Sequence, residues 1–403
     1  MILAVFAAVL APGPAQALQA QRPEVERPRL QSGADTNDAT AYYDLGVAQL
    51  ERAPETAAAA FYWATRLEPS WATALYARRV AGLMAKPMLL VRYLDGDREA
   101  IESREAQHLD SLLLRAQRID PFFQRDFEKL LLLRYIVERV DQAPGRPLEG
   151  SERLELEFYL DQALRSVEVS PRLRARIAES QGKLPEALRL YRAALGERRG
   201  RVDLHVDLAR LFYSMTTYDS ALAHLQAAVG ELQRRDADRL VRVYESREFF
   251  EHASGVVHER RGDVAAAREA YGRALVEQLS YYPAHARLGL VALAVGDTAQ
   301  ALQEMQLAVE VAPDVATIRV TYGVLLAQGQ RFDDAVVHLR TAVELEPYYA
   351  RPYYILGRIA ENRQQLDRAL ESYRAFLARA SRGDRNRDAV ARRVADLEAR
   401  QRP

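Results

Sequence analysis

No cysteine occurs in the 403 residues, which excludes a disulfide framework, a thiol nucleophile, thiolate metal sites and a lipidated N-terminal cysteine. Lysine is almost absent, standing only at Lys86, Lys129 and Lys183, so the positive charge is nearly all arginine; a GC-rich coding bias explains this more simply than a wealth of bidentate carboxylate contacts. An excess of either charge is missing too. Lys+Arg and Asp+Glu both number 56, leaving no global field to draw in nucleic acid or an anionic membrane. Gly (20) and Pro (17) are too few for a disordered or fibrous chain.

Catalytic signatures are lacking as well. There is no G-x-S-x-G elbow, no glycine-rich phosphate loop and no H-E-x-x-H. The seven histidines (His108, His205, His224, His252, His258, His285, His338) include no pair at i, i+4 that would set two ligands on one helical face. The chain is read as non-enzymatic, without cofactor or metal. Nothing beyond the N-terminus is apolar enough to span a bilayer.

At the N-terminus, Ile2 to Ala11 is an uncharged apolar run of signal-peptide length, followed by the breakers Pro12, Gly13 and Pro14 and the small-x-small triplet Ala15-Gln16-Ala17. Residues 1–17 are expected to be a signal peptide, which implies a periplasmic or secreted protein. No Lys or Arg precedes the run, and the alternative is an uncleaved anchor or a buried apolar arm. Residues 18–38, polar and interrupted by Pro23 and Pro28, are expected to be a flexible lead-in.

What the chain does contain is self-similarity. From residue 168 onward, small and large residues recur with a period of about 34. Alanines stand at Ala187, Ala221, Ala267, Ala301, Ala335 and Ala369; four residues later come Tyr191, Leu225, Tyr271, Met305, Leu339 and Tyr373. A small residue follows at Ala194, Ala228, Ala274, Ala308 and Ala342, with Phe376 departing from the pattern. Upstream in each unit lie Leu288-Gly289, Tyr322-Gly323 and Leu356-Gly357, and more weakly Leu208-Ala209 and Ser254-Gly255. Gly182, Gly262 and Gly296 mark turns, and Pro313 and Pro347 mark exits from the second helix. Small residues let two antiparallel helices approach closely, and the large residue one turn along is expected to fill the gap to the next pair.

These residues resemble the tetratricopeptide repeat. The resemblance implies an all-α fold, a TPR-type α-solenoid coiling as a right-handed superhelix of antiparallel helix pairs. The C-terminal array is assigned to residues 151–381. A capping helix is expected over 384–401, where Val390, Val394 and Leu397 share one face. The period breaks near residues 234–247, which predicts a longer second helix or an inserted turn. Residues 39–140 read as a shorter, partly degenerate array: Leu45-Gly46, Ala57, Phe61, Ala64 and Pro69 form one unit, and Trp71 to Leu83 resembles a first helix. Leu109, Leu113, Ala116 and Pro121 resemble its second helix, across an insertion at Lys86 to Gln107. The breaker-rich 141–150 is a linker or a long loop, with Ser151 capping the next helix.

In proteins of this resemblance the partner lies in the concave groove of the first helices, at positions spaced by four and then three. Here these are Arg172, Arg176 and Glu179; Val206, Arg210 and Tyr213; His252, Val256 and Glu259; Ala286, Leu290 and Leu293; Val320, Val324 and Ala327; and Tyr354, Arg358 and Glu361. The groove so drawn is basic at one end and apolar in its middle, suiting an extended or helical protein segment with an acidic flank. The apolar positions have a second reading, burial under neighbouring helices of the same chain. The Lys and Asn carboxylate clamp of chaperone-cofactor members is absent. The expected role is a protein-interaction scaffold of the bacterial cell envelope, with self-association through repeat ends also open; the alternatives are a glycan- or small-molecule-binding module and a non-catalytic subunit of an enzyme complex.

Overall fold

The computed structural model describes residues 25–140, 171–197, 202–236 and 246–401, and among them all regular secondary structure is helical. The signal peptide, the 141–150 linker and the helix start at Ser151 lie outside the described residues. The first pair is α1 (Ala39–Gln49) and α2 (Pro54–Leu67). In the second, α3 (Ala72–Met84) packs against α6 (Arg104–Ile119), and the insertion between them forms α4 (Pro87–Leu94) and α5 (Arg98–Glu102). Local chemistry explains the insertion: Pro87 starts α4, Asp97 caps α5 and Ser103 caps α6. Helix α7 (Glu128–Val140) follows.

The C-terminal array consists of α8 (Pro171–Ser180) with α9 (Leu184–Glu197), α10 (Val202–Ser214) with α11 (Tyr218–Asp236), α12 (Arg247–Arg261) with α13 (Val264–Glu277), α14 (Tyr282–Ala294) with α15 (Thr298–Val311), α16 (Ala316–Gln328) with α17 (Phe332–Leu345), and α18 (Arg351–Asn362) with α19 (Leu366–Leu377). Each helix of the array packs on the next in chain order. At the period break, α11 runs to 19 residues, where α13, α15 and α17 have 14. Helix α20 (Arg387–Gln401) closes the end, burying Val390, Val394 and Leu397 against the last pair.

Most of the pairs close on glycine, with one correction to the expected packing. Where the partner helix carries a glycine, the large residue four after the alanine lies on it rather than mainly bridging to the next unit; Tyr191 and Leu225 face partner helices that have none. A methyl group added at Gly46 would meet Phe61 at 2.6 Å, at Gly255 Tyr271 at 2.3 Å, at Gly357 Tyr373 at 2.5 Å, and at Gly82 Leu109 at 2.4 Å. An aromatic ring stacked on a bare helix backbone fills the crossing without a void, which is why the small and large positions travel together. Within each pair of the C-terminal array the helices are joined by a turn with one left-handed residue: Gly182, Gly262 and Gly296 at φ 73, 79 and 83°, and Thr216, Gln330 and Gln364 at φ 57, 60 and 57°. Glycine enters this conformation freely, whereas side-chain-bearing residues are strained there.

The lead-in also departs from expectation over the described residues 25–38. Instead of hanging free, it straps the first pair to the last. The Trp63 indole donates to the Val25 carbonyl at 3.1 Å, and the Arg27 guanidinium lies 4.1 Å from the Trp63 ring and 5.2 Å from that of Tyr348. Asn37 donates to the Ala378 carbonyl at 2.9 Å, Arg382 donates to the Gly33 carbonyl at 3.0 Å and to Asp35, and Arg66 pairs with Glu346 at 2.9 Å. The N-terminal array thus folds back on the C-terminal one.

Candidate functional site

The arginine end of the expected groove is committed inside the chain. Arg172 donates to Asp207 at 2.7 Å and to Asp203, both on the following first helix α10. Arg210 pairs with Glu179 at 3.2 Å, Glu179 accepts the Tyr191 hydroxyl at 2.8 Å, and Arg176 pairs with Glu128 at the start of α7. Against the effect of burial, Arg172, Arg210 and Arg176 hold Asp207, and Arg176, Arg125 and Arg210 hold Glu128, below the usual carboxylate range. The acidic flank expected of a partner is therefore supplied by the chain itself, and the reason is geometric: successive first helices place an Arg of one within reach of a carboxylate of its neighbour.

That arrangement recurs. Glu361 accepts the Tyr373 hydroxyl at 2.7 Å and pairs with Arg393 of the capping helix at 2.6 Å. Glu259 pairs with Arg287 of the next unit at 3.3 Å and stands beside Tyr271, whose hydroxyl lacks a well-aligned partner. Burial pushes Glu259 up and the tyrosines of all three sets well above their ordinary value. These glutamates staple one unit to the next.

The remaining positions divide. His252 is wholly buried between Tyr271 and Tyr281, with both ring nitrogens unbonded and its pKa pushed down to about 3 by burial, and Val320 is buried in the core of α14–α18. Neither offers a surface, and both are corrections to the expected groove: the four-and-three spacing places a residue on a stripe but does not tell which edge of it the neighbouring helix covers. Tyr213 is covered by the ring of Phe122, 3.9 Å away and within 10° of parallel, and its hydroxyl accepts from Arg260 at 2.9 Å. Leu290 is exposed and Leu293 half-buried. Arg358 is exposed and donates to the Tyr354 hydroxyl at 3.0 Å.

Val324 and Tyr354 open into a cleft of about 760 Å³ between the first pair and the last units. Its apolar wall is built from Val324, Tyr354 and Ile355 on one side and Leu67 and Trp71 on the other; Asn37, Arg351, Asp384 and Arg385 stand among its polar lining. Trp71 is held in place by stacking on Tyr43 at 4.6 Å. The sequence reading missed this cleft because half of it comes from residues some 300 positions away in the chain, a juxtaposition no local period encodes.

It also missed a histidine contact. His205 and His224 meet Nδ1 to Nδ1 at 2.9 Å across their pair, and burial holds both pKa values down, His224 at about 4. The spacing of 19 that joins them recurs in His285 with Glu304 and in Arg319 with His338, a signal that was available. Among the described residues, no three histidine, aspartate or glutamate groups converge as a metal site, and no helix is long and apolar enough to cross a membrane.

Tetratricopeptide-repeat family models match residues 178–242, 286–350 and 323–385. No curated protein matches the chain. Among solved structures, the chain is similar to YrrB, described as a TPR protein with an unusual peptide-binding site, at 20% identity over 50% of this chain and 97% of that one, with a TM-score of 0.39. It is similar to PilF of Pseudomonas aeruginosa at 16% identity over 58% and 98%, with a TM-score of 0.43. A TPR protein fragment from Cytophaga hutchinsonii is 13% identical over 56% and 94%, with a TM-score of 0.42. At these values none carries an argument about function. The matched residues hold the left-handed turns at Gly182, Thr216, Gly296, Gln330 and Gln364 and the Gly357–Tyr373 contact, and the chain carries tetratricopeptide repeats whose described residues form an all-α solenoid ended by a capping helix.

Proposed function

We propose that this chain is a non-catalytic scaffold of the bacterial cell envelope that holds a segment of a partner protein on the face of its first helices. The repeat architecture supports protein–protein interaction in general; the envelope is proposed from the apolar run Ile2 to Ala11 and the Ala15-Gln16-Ala17 triplet. The carrying observation is that Val324 and Tyr354, two positions the repeat register assigns to the partner, line an open cleft of about 760 Å³, while Arg172, Arg176 and Arg210 are spent within the chain. The cleft is of a size to bury one or two apolar side chains of an extended segment, with polar groups such as Asn37 and Arg385 left to its backbone.

A second reading has one specific support: Trp71 and Tyr354, with Asn37, Asn386 and Asp384 nearby, are also the kind of lining that takes a glycan. The test places a photo-crosslinking amino acid at Val324 or Tyr354 in the tagged full chain, fractionates the cells and identifies what is captured. One protein captured from the envelope fraction at these positions, and not from a control site at exposed Val337, is the expected result. Capture of no protein, with glycan retained on the purified chain, overturns the scaffold reading, and recovery of the chain from the cytoplasmic fraction overturns the compartment.

A further inference from the structure

A second surface of the first helices is covered by the chain's own residues 120–128, which connect α6 to α7. Phe122 stacks flat on Tyr213, and Glu128 pairs with Arg176. One aromatic ring and one carboxylate six positions later are thus received by an aromatic ring and a guanidinium of the array, which is how a repeat groove would take a foreign segment.

The fit of the middle residue is poor. Arg125 sits deep in the same interface near Arg176 and Arg210, and its Nε has no hydrogen-bond partner; nor do Nε of Arg176 and one terminal nitrogen of Arg210. Burial, with the like charges of Arg210 and Arg176, pushes the Arg125 guanidinium down to about 10. Glu128 and Asp207 balance part of this charge, but the orphaned donors carry a desolvation cost. The strap at the other end of the N-terminal array shows the same weakness, with Nε of Arg66 and one oxygen of Glu346 lacking aligned partners. An interface that is polar, incompletely bonded and made between two arrays has the character of contacts that separate.

We propose that the surface formed by Tyr213, Arg176 and Arg210 is a docking site for a partner segment carrying an aromatic residue and, about six positions on, a carboxylate, and that residues 120–128 cover it until such a segment displaces them. The proposal rests on the scaffold reading but uses a different surface from the Val324–Tyr354 cleft, so crosslinking at that cleft succeeds or fails independently of it.

The probe is a fluorescent peptide copying residues 118–130 with alanine in place of Arg125, titrated onto the full chain. Wild type should bind it weakly, because the tethered copy competes at an effective concentration on the order of millimolar. The Phe122→Ala/Glu128→Gln chain should bind it about tenfold tighter or better, and adding Tyr213→Ala should remove that gain. A parallel pair keeps the idea exposed if the first variant misfolds: Glu128→Arg should speed amide exchange in α10, and Glu128→Arg/Arg176→Glu should slow it again. The proposal is overturned if the opened chain keeps its helicity but does not take up the peptide, or if the charge swap fails to restore protection. It is also overturned if opening the segment makes a dimer, which would assign the surface to a second copy.

Discussion

Two kinds of interface hold this molecule together, and they differ in chemistry. Inside the glycine-bearing helix pairs, the central contact is an aromatic or aliphatic side chain on a glycine backbone, as with Tyr373 on Gly357 or Leu339 on Gly323, although α3 and α6 also share the buried ion pair of Arg79 with Asp110. Between the N-terminal and C-terminal arrays, the contact is arginine-rich: Arg27 over Trp63, Arg66 with Glu346, Arg118 over Tyr282, Arg176 with Glu128. The first kind is close-packed and intolerant of added volume; the second includes several ionic contacts, and such pairs gain little after desolvation. The same sequence therefore encodes rigid hairpins and a softer closure between them.

The sharpest way to break that contrast is to add one methyl group to a crossing. Gly357→Ala puts a carbon 2.5 Å from the Tyr373 ring, which is fixed by its bond to Glu361 and cannot swing aside. A loss of about 1–3 kcal/mol is expected, even after the better helix propensity of alanine is credited. Gly289→Ala should lose far less, since its nearest neighbour at 3.0 Å is the flexible Met305 side chain. Gly272→Ala, in a helix with nothing within 4 Å, should instead gain up to about 1 kcal/mol. Urea melts followed by circular dichroism rank the three; equal losses at Gly357 and Gly272 would mean that the crossings are not close-packed.

At the strap the effect is smaller and of opposite sign. Burial outweighs Arg66, Arg115 and Arg78 and raises the Glu346 carboxyl from 4.5 to about 6. A group raised on folding contributes stability that is fully present below its unfolded value and is lost as pH rises through the folded one. Closure of the strap is thus favoured below pH 4.5 and weakens across the window from 4.5 to 6. Glu346→Gln should remove that dependence and strengthen closure at pH 7 by about 1–2 kcal/mol. Emission from Trp63, whose ring lies 4.8 Å from Tyr348 beside this contact, reports it, with the Trp63→Phe chain supplying the Trp71 background. Loosening of the strap by Glu346→Gln at pH 7 would show instead that the ion pair outweighs its desolvation.

Much of the first kind of interface was legible in the sequence, and little of the second. The alanine–large–small register from Ala187 to Tyr373 located the pairs, because each pair is made of residues close in the chain. The insertion in the second unit was visible as excess length between Leu83 and Leu109, though not as α4 and α5. The surface was harder. Arg172, Arg176 and Arg210 read as a basic groove because their periodicity marks a face but not what covers it; the carboxylates that meet them come from the neighbouring first helix and from Glu128. His252 and Val320 sit on the expected stripe yet are buried, His252 between Tyr271 of its own pair and Tyr281 at the entry to the next. Contacts such as Trp63 with Tyr348 join residues no repeat relates, and only the closure of the whole array creates them.

The finest distinction lies in the turns. The same left-handed position is glycine in three units and Thr216, Gln330 or Gln364 in the others, so the hairpins are not equally relaxed although their cores are alike. At φ 60°, Gln330 bears a steric cost of about 1–2 kcal/mol that glycine escapes, offset in part by the greater freedom glycine has when unfolded. Gln330→Gly should therefore raise stability by about 0.5–1 kcal/mol, and Gln364→Gly by a similar amount. Gly296→Ala, 34 positions before Gln330 in the same turn at φ 83°, should lower it by about 1 kcal/mol. Because stacked repeats unfold as coupled neighbours, the change belongs first to the altered hairpin, and amide exchange in α16 and α17 should register it more strongly than exchange in α10. A uniform change along the chain would mean that the arrays unfold as one unit, and would erase the distinction between rigid hairpins and a softer closure.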